Sequence, residues 1–87
     1  MIFISLRKMR RKPDKEDANK LDKIVENLKE KGVKVLSWYW TLGRYDIVMI
    51  FEAANEKEAM KFAVDISGVV ASETLVAISR QEAIGLL

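Results

Sequence analysis

Four consecutive residues near the middle of the chain, Gly43-Arg44-Tyr45-Asp46, have the types and spacing that could do chemistry. They place a cation, a phenol and a carboxylate beside a glycine that can turn the backbone. A carboxylate accepts hydrogen bonds from an amine-bearing ligand, and a phenol both donates and accepts them. With Tyr39 just upstream, we predict a ligand-binding cluster of Tyr39, Gly43, Arg44, Tyr45 and Asp46.

The same residues also have a structural explanation, which is the simpler one. Gly43 can supply a positive φ for a tight turn. Tyr45 can pack across the turn from Leu42, and Asp46 can accept hydrogen bonds from amides of the hairpin. Both interpretations stay open at the level of sequence.

The chain contains no cysteine and no histidine. It therefore lacks a thiolate nucleophile, a disulfide framework, the usual general base near neutral pH and the commonest ligands of transition metals. The spacing of Asp46, Asp65 and Glu73 forms no loop for a hard cation. We predict no catalytic residues, no metal and no cofactor, and the sequence favours a binding module over an enzyme.

Two other functions remain as alternatives. A small cofactor-independent enzyme acting inside a dimeric barrel would need Asp46, Glu73, Tyr39 or Arg7 as its acid–base or orienting groups. A single-stranded RNA-binding protein would use aromatic residues of the sheet and a basic run; the sequence offers Trp38, Trp40, Arg7, Lys8, Arg10, Arg11 and Lys12. The net charge of only +2 argues against nucleic acid as a partner, and the tryptophans are simpler as core residues.

The N-terminal third predicts a strand and a helix. Met1 to Met9 alternates as a strand does, with Ile2, Ile4 and Leu6 on one face and Phe3, Ser5 and Arg7 on the other. Asp14, directly after Pro13, is a helix N-cap with Asp17 three residues on. Apolar residues then recur at helical spacing until Gly32 ends the helix; they are Leu21, Ile24, Val25 and Leu28.

The middle of the chain predicts a hairpin of strands Val33–Leu42 and Tyr45–Ala53. A two-residue type II′ turn at Gly43-Arg44 would pair Leu42 with Tyr45. One face of that hairpin is wholly apolar, and we expect helices to cover it. The opposite face of the sheet would stay open and would carry Phe3, Val35, Tyr39, Val48 and Ile50.

The last third predicts a helix from Asn55, a strand over Val69–Ser79 and a short helix over Gln81–Leu87. The order β-α-β-β-α-β predicts an α+β, ferredoxin-like fold in a single domain over residues 1–87, with a four-stranded antiparallel sheet and two helices on one face. Its open, half-apolar face predicts a homodimer or higher homo-oligomer, packed sheet to sheet as a dimeric α/β barrel.

Several residues resemble known families. Tyr39 to Asp46 resembles the signature of the GYD-domain family, and the likeness continues at Ile50–Ala53, Asn55–Met60, Lys12-Pro13 and Ser72–Leu75. A more distant resemblance is to the ligand-binding (RAM) module of the Lrp/AsnC regulators. Gly43, Tyr45 and Asp46 match its hairpin, while Gly68-Val69 and Glu73-Thr74 match its last strand.

The resemblance implies a ferredoxin-like fold that dimerises sheet to sheet, and it implies small effectors bound between subunits by analogy with the Lrp-like module. No stretch approaches the roughly 20 apolar residues of a membrane span, so we expect a cytoplasmic protein. Abundant Lys and Glu with little Gln suit a thermophile. We predict a stand-alone ligand-binding or regulatory module that works as a homo-oligomer.

Overall fold

The computed structural model describes all 87 residues as a four-stranded antiparallel sheet with two helices across one face and a third short helix at the C-terminus. The elements are β1 (Ile2–Met9), α1 (Lys15–Leu28), β2 (Lys34–Trp40), β3 (Ile47–Glu52), α2 (Glu56–Ile66), β4 (Val70–Ala77) and α3 (Arg80–Gly85). The strand order is β2-β3-β1-β4. This confirms the predicted ferredoxin-like βαββαβ fold. None of the helices is long and apolar enough to cross a membrane.

Both long helices begin at the caps that the sequence predicts. The Asp17 amide donates to the Asp14 carboxylate at 2.8 Å, and the Asp14 amide donates back to Asp17 at 3.3 Å, which forms a capping box. Arg11 also donates to Asp17, at 2.8 Å, and this hydrogen bond holds the pKa of Asp17 below its usual range. In α2 the side chain of Asn55 accepts from the Glu58 amide at 3.0 Å. Each cap fixes where its helix starts against the sheet.

The core lies between the sheet and the two long helices. Phe51 is at its centre, stacked on Phe3 at 5.4 Å and edge-on to Phe62 of α2 at 5.2 Å between ring centroids. Such aromatic pairs add to the free energy of simple burial. Other core side chains from the sheet and helices are Leu21, Leu28, Ile47, Met49, Ile66 and Val70.

The central strand β1 carries apolar side chains on both faces. Phe3, Ser5 and Arg7 face the helices and are buried, while Ile2, Ile4 and Leu6 lie on the open face. The prediction that Phe3 lies on the open face is therefore wrong. A period of two separates the faces of a strand, but it does not say which apolar face the helices will cover.

The hairpin has the predicted register only next to its loop, where Trp40 pairs with Ile47 and Trp38 pairs with Met49. A register shift between Val35 and Ser37 then places Val35, not Leu36, opposite Phe51. Val35 packs against the core, so its predicted place on the open face is also wrong. One extra residue in a strand moves every later side chain to the other face.

The turn of the hairpin is longer than predicted. The Thr41 amide donates to the Asp46 carbonyl at 2.8 Å, and the residues between them, Leu42 to Tyr45, form the loop. The Thr41 hydroxyl donates to the Tyr45 carbonyl at 2.7 Å and takes the acceptor that a Leu42–Tyr45 pair would need. Gly43 has φ +103°, so its positive φ is confirmed although the two-residue turn is wrong.

The open face of the sheet has an apolar centre that no helix covers. The strand registers place Ile2, Ile4, Leu6, Tyr39, Val48, Ile50 and Leu75 on it. Leu75 and Tyr39 remain 41% and 58% exposed. An apolar surface of this kind on a small protein marks an interaction site.

One buried residue of the covered face is a cation. Arg7 has no exposed surface. Its Nε donates to the Ser5 hydroxyl at 2.9 Å, its Nη2 contacts the Met49 sulfur at 3.3 Å, and its Cζ lies 4.8 Å from the centroid of the Phe62 ring. No carboxylate pairs with it, and Nη1 has no protein acceptor. Desolvation by burial lowers the pKa of Arg7 to about 10, so burial of this charge opposes folding.

We therefore predict that Arg7→Met stabilises the protein. The lowered pKa corresponds to a cost of about 3 kcal/mol at neutral pH, which is relieved only as the pH rises above about 10 toward the ordinary pKa of arginine. Loss of the contact with Phe62 offsets part of the gain. Urea unfolding at neutral pH should show a free energy of unfolding about 1–2 kcal/mol higher.

The exposed neighbour provides the control, because Lys8→Met should change the free energy of unfolding by no more than about 0.5 kcal/mol. A less stable Arg7→Met variant would show that the contacts of the guanidinium outweigh its desolvation.

Candidate functional site

A shallow depression of about 270 Å³ lies on the open face, where the hairpin loop meets β1 and β4. Leu6 and Ala71 form its apolar floor, and Lys8, Arg44, Tyr45 and Glu73 provide its charged and polar groups. The strand register explains the grouping, because β4 places Glu73 directly beside Leu6 and Ala71 beside Lys8. The hairpin loop then brings Arg44 and Tyr45 over the same edge.

A phenol–carboxylate hydrogen bond spans the depression. The Tyr45 hydroxyl donates to Oε2 of Glu73 at 2.9 Å, across the strand that separates them. The hydrogen bond to Glu73 is the main cause that raises the pKa of Tyr45, with burial adding to it. The phenol therefore keeps its proton, and the carboxylate is the acceptor. The second oxygen of Glu73 makes no hydrogen bond to the protein.

Two cations flank this pair. The guanidinium of Arg44 lies 5.8 Å from the ring centroid of Tyr45. Lys8, in β1, also lines the depression. Neither forms an ion pair within the protein. The depression thus presents two positive groups and one carboxylate around an apolar floor. That combination suits a small molecule with an acidic group and a hydrogen-bond donor.

Asp46 has a structural role that the sequence partly predicts. Its carboxylate accepts from the Met9 amide at 2.7 Å, and its own amide donates to the Arg7 carbonyl at 2.8 Å. The residue thereby extends the β1–β3 ladder beyond its last pair, Arg7 with Ile47. The amide partner belongs to β1 and not to the hairpin itself. The side chain does not line the depression.

The five predicted ligand-binding residues are therefore only partly brought together. Arg44 and Tyr45 line the depression. Gly43 and Asp46 shape the loop and its attachment to β1. Tyr39 lies in β2, on the open face, where it pairs with Val48 of β3. The strands β3 and β1 separate it from β4 and the depression.

Sequence reasoning did not include Lys8 and Glu73 among the ligand-binding residues. Only the pairing of β1 with β4, which sets Leu6 beside Glu73, brings them to the hairpin loop. Two features of the sequence could have identified Glu73 and Lys8. One is the match of Glu73-Thr74 to the last strand of the Lrp-like module, and the other is the antiparallel pairing of the first and last strands in the predicted fold.

The basic run that suggested phosphate contacts is largely occupied by the protein itself. Arg7 is buried in the core. The Nε of Arg10 donates to the Ser67 carbonyl at the end of α2 at 2.6 Å, and Arg11 bonds Asp17. The predicted role of Arg7 in contacting phosphate or orienting a substrate inside a barrel is therefore wrong, because the residue lies on the helix-covered face.

The tryptophans also lie on the helix-covered side of the sheet. Trp38 pairs with Met49 and packs against the core, as the simpler prediction held. Trp40 shares that side but is 56% exposed, so the prediction that it is a core residue is wrong. Neither provides a stacking platform on the open face.

We predict that Glu73→Gln lowers the pKa of Tyr45 toward its ordinary value of about 10, because a neutral amide disfavours the phenolate less than a carboxylate does. Ultraviolet titration of phenolate absorbance measures the shift, and Tyr45→Phe identifies which of the two tyrosines carries it. An unchanged titration curve in Glu73→Gln would mean that the two side chains do not interact in solution.

Three solved structures are similar to this chain. MtbAldR superposes with a TM-score of 0.61 at 15% identity, over 91% of this chain and 52% of that one. The dehydrochlorinase TftG from Burkholderia phenoliruptrix AC1100, which acts on 5-chloro-2-hydroxyhydroquinone and was solved with 2,5-dihydroxybenzoquinone, gives 0.60 at 19% identity over 94% and 98%. PH0061 gives 0.59 at 22% identity over 92% and 53%.

These likenesses establish the fold. This chain spans about half the length of MtbAldR and PH0061, and nearly the whole of TftG. A comparison with curated proteins finds no similar sequence.

The family comparison covers nearly the whole chain. The GYD-domain family matches residues 7–87, a span that includes the Tyr45–Glu73 pair, Asp46 and every residue that lines the depression except Leu6. The chain therefore belongs to the GYD-domain family.

Proposed function

We propose that this protein is a small-ligand-binding or regulatory module that works as a homo-oligomer, with its ligand held on the open sheet face at Lys8, Arg44, Tyr45 and Glu73. The observation that carries the proposal is the depression itself. It combines two unpaired cations with a carboxylate whose second oxygen has no protein donor, around an apolar floor. Groups of this kind that converge without satisfying one another suit a bound molecule.

The ligand that fits is a small molecule with a carboxylate and an amine. Its carboxylate would contact Lys8 and Arg44, and its amine would donate to the second oxygen of Glu73. The Tyr45–Glu73 hydrogen bond holds that carboxylate in place before the ligand arrives. Amino acids and related metabolites have this chemistry, in line with the effectors that the Lrp-like resemblance implies.

A second copy would complete the site. The depression is shallow and lies at the margin of the uncovered apolar face formed by the side chains around Ile4. Packing two such faces together would bury that apolar surface and place a roof over the ligand. Burial of apolar area is the main driving force for association, so ligand binding and oligomerisation would support each other.

A second candidate is a small enzyme that needs no bound cofactor. The chain matches TftG over almost the whole length of that protein, and TftG acts on a hydroxyhydroquinone. Here Glu73 would be the general base, and the raised pKa of Tyr45 would make it a hydrogen-bond donor rather than a source of phenolate. The buried position of Arg7 removes it from the groups available to such a reaction.

A thermal-shift screen with amino acids and small metabolites tests the binding proposal. A ligand at about 100 times its dissociation constant should stabilise the protein by about 2.7 kcal/mol. For a domain of this size that raises the melting temperature by about 10 °C or more. The shift should fall strongly in Glu73→Gln and in Arg44→Gln.

Glu26→Gln is the matched control, because it removes a carboxylate from the exposed surface of α1, far in sequence from the depression. Its ligand response should equal that of the wild type. A response that survives in Glu73→Gln and Arg44→Gln together would contradict the site, and the lack of any response across the panel would contradict ligand binding.

A further inference from the structure

The two edges of the sheet are built differently. β2, at one edge, begins with Lys34 and has a register shift between Val35 and Ser37. A lysine and a bulge are devices that stop an edge strand from pairing with another chain. β4, at the other edge, is eight residues long, pairs with β1 without any register shift, and contains no proline and no lysine. Its one charged side chain, Glu73, turns to the open face and bonds Tyr45.

The backbone of β4 shows which groups are free. The Arg10 amide donates to the Val69 carbonyl. Hydrogen-bonded pairs alternate along an antiparallel ladder, so every second pair from there, such as Leu6 with Glu73, carries the β1–β4 hydrogen bonds. The intervening residues Ser72, Thr74 and Val76 therefore direct their N–H and C=O groups away from β1. A row of such unpaired groups is a template for one more strand.

Apolar side chains continue from this edge onto the helix layer. A groove of about 230 Å³ runs between β4 and α2, and its lining includes Phe3, Ala59, Met60 and Val76. Met60 and Val64 lie one turn apart on α2 and are 65% and 63% exposed. The free edge thus has both hydrogen-bonding groups and an apolar surface beside it.

We infer that β4 pairs antiparallel with β4 of a second copy, so that two sheets join edge to edge. An isologous contact of this kind needs a surface that is complementary to itself. A two-fold axis at Thr74 sets Ser72 opposite Val76 of the second copy and aligns the free N–H and C=O groups on both strands. It also brings the two α2 helices together, so that Met60 and Val64 of each copy cover the groove of the other.

The register follows from charge. An axis at Glu73 would set two carboxylates directly opposite, which is unfavourable. An axis at Thr74 sets Glu73 opposite Leu75 and leaves the Tyr45–Glu73 hydrogen bond in place. This contact uses the edge of the sheet and the helix layer and leaves the apolar centre of the open face free. It lies beside the proposed ligand site, whose lining includes Ser72 and Glu73.

Amide hydrogen exchange of the wild-type protein tests the pairing. The amides of Ser72, Thr74 and Val76 should be protected, and their protection should rise with protein concentration. The Trp40 amide points outward from the opposite edge and is the internal control for an unpaired edge. Exchange of the three β4 amides at the rate of the Trp40 amide at every concentration would overturn the proposal, and would leave this edge open to a strand from another protein.

Substitution at Thr74 gives an independent test. Thr74→Pro removes an outward N–H while keeping the bonds of β4 to β1, so the mass measured by light scattering should fall by half. Thr74→Val keeps the amide and should keep the wild-type mass. If Thr74→Pro does not fold, as judged by circular dichroism, the exposed double variant Met60→Lys, Val64→Lys should give the same fall. An unchanged mass in a folded variant would overturn the proposal.

Discussion

The structure depends on one constraint, which is that β1, an inner strand of the sheet, carries apolar side chains on both of its faces. One face, with Phe3 and Arg7, is buried by α1 and α2. The other, with Ile2, Ile4 and Leu6, has no cover within the chain, because both long helices lie on the same side of the sheet. A right-handed preference for strand–helix–strand connections produces this one-sided arrangement. The chain thus folds with its core complete on one side and an apolar face left on the other.

The family signature is best understood as the attachment of the hairpin to that central strand. Asp46 bonds the Met9 amide, and Tyr45 reaches across β1 to Glu73 on β4. The two side chains tie the hairpin loop to both neighbouring strands. The Tyr45–Glu73 hydrogen bond lies within the depression, so these two polar groups are held in place by contacts of the fold. The motif is therefore structural at Asp46 and available to a ligand at Arg44 and Tyr45.

Much of the fold could be predicted from local sequence. The caps at Asp14 and Asn55, the positive φ of Gly43 and the strand–helix order each depend on a few neighbouring residues. The buried face of β1 could not be predicted, because the face that the helices cover, with Phe3, Ser5 and Arg7, is the less apolar of the two. The burial of Arg7 was hidden for a related reason, since a cation within a basic run resembles a solvated strand end until the neighbouring strands and Phe62 are placed around it.

The grouping of residues at the depression was predicted in part, and the reason lies in strand order. Arg44 and Tyr45 are adjacent in sequence, so the hairpin motif identifies both. Their partners Lys8 and Glu73 lie far away along the chain and meet only when β1 and β4 pair. The bulge at Val35 likewise follows from pairing with β3, and no proline or glycine in the sequence indicates it. Contacts between distant strands thus set the limit of the sequence argument.

The central claim is that a second copy covers the open face of the sheet, and sedimentation velocity at micromolar concentration tests it most directly. The wild type should sediment as an assembled species, and Ile4→Glu, which puts a charge at the centre of the open face, should halve its mass. Leu42→Glu, at a fully exposed apolar residue of the hairpin loop, should leave the mass unchanged. A wild-type protein that sediments as a monomer, or an Ile4→Glu variant with the wild-type mass, would contradict the account.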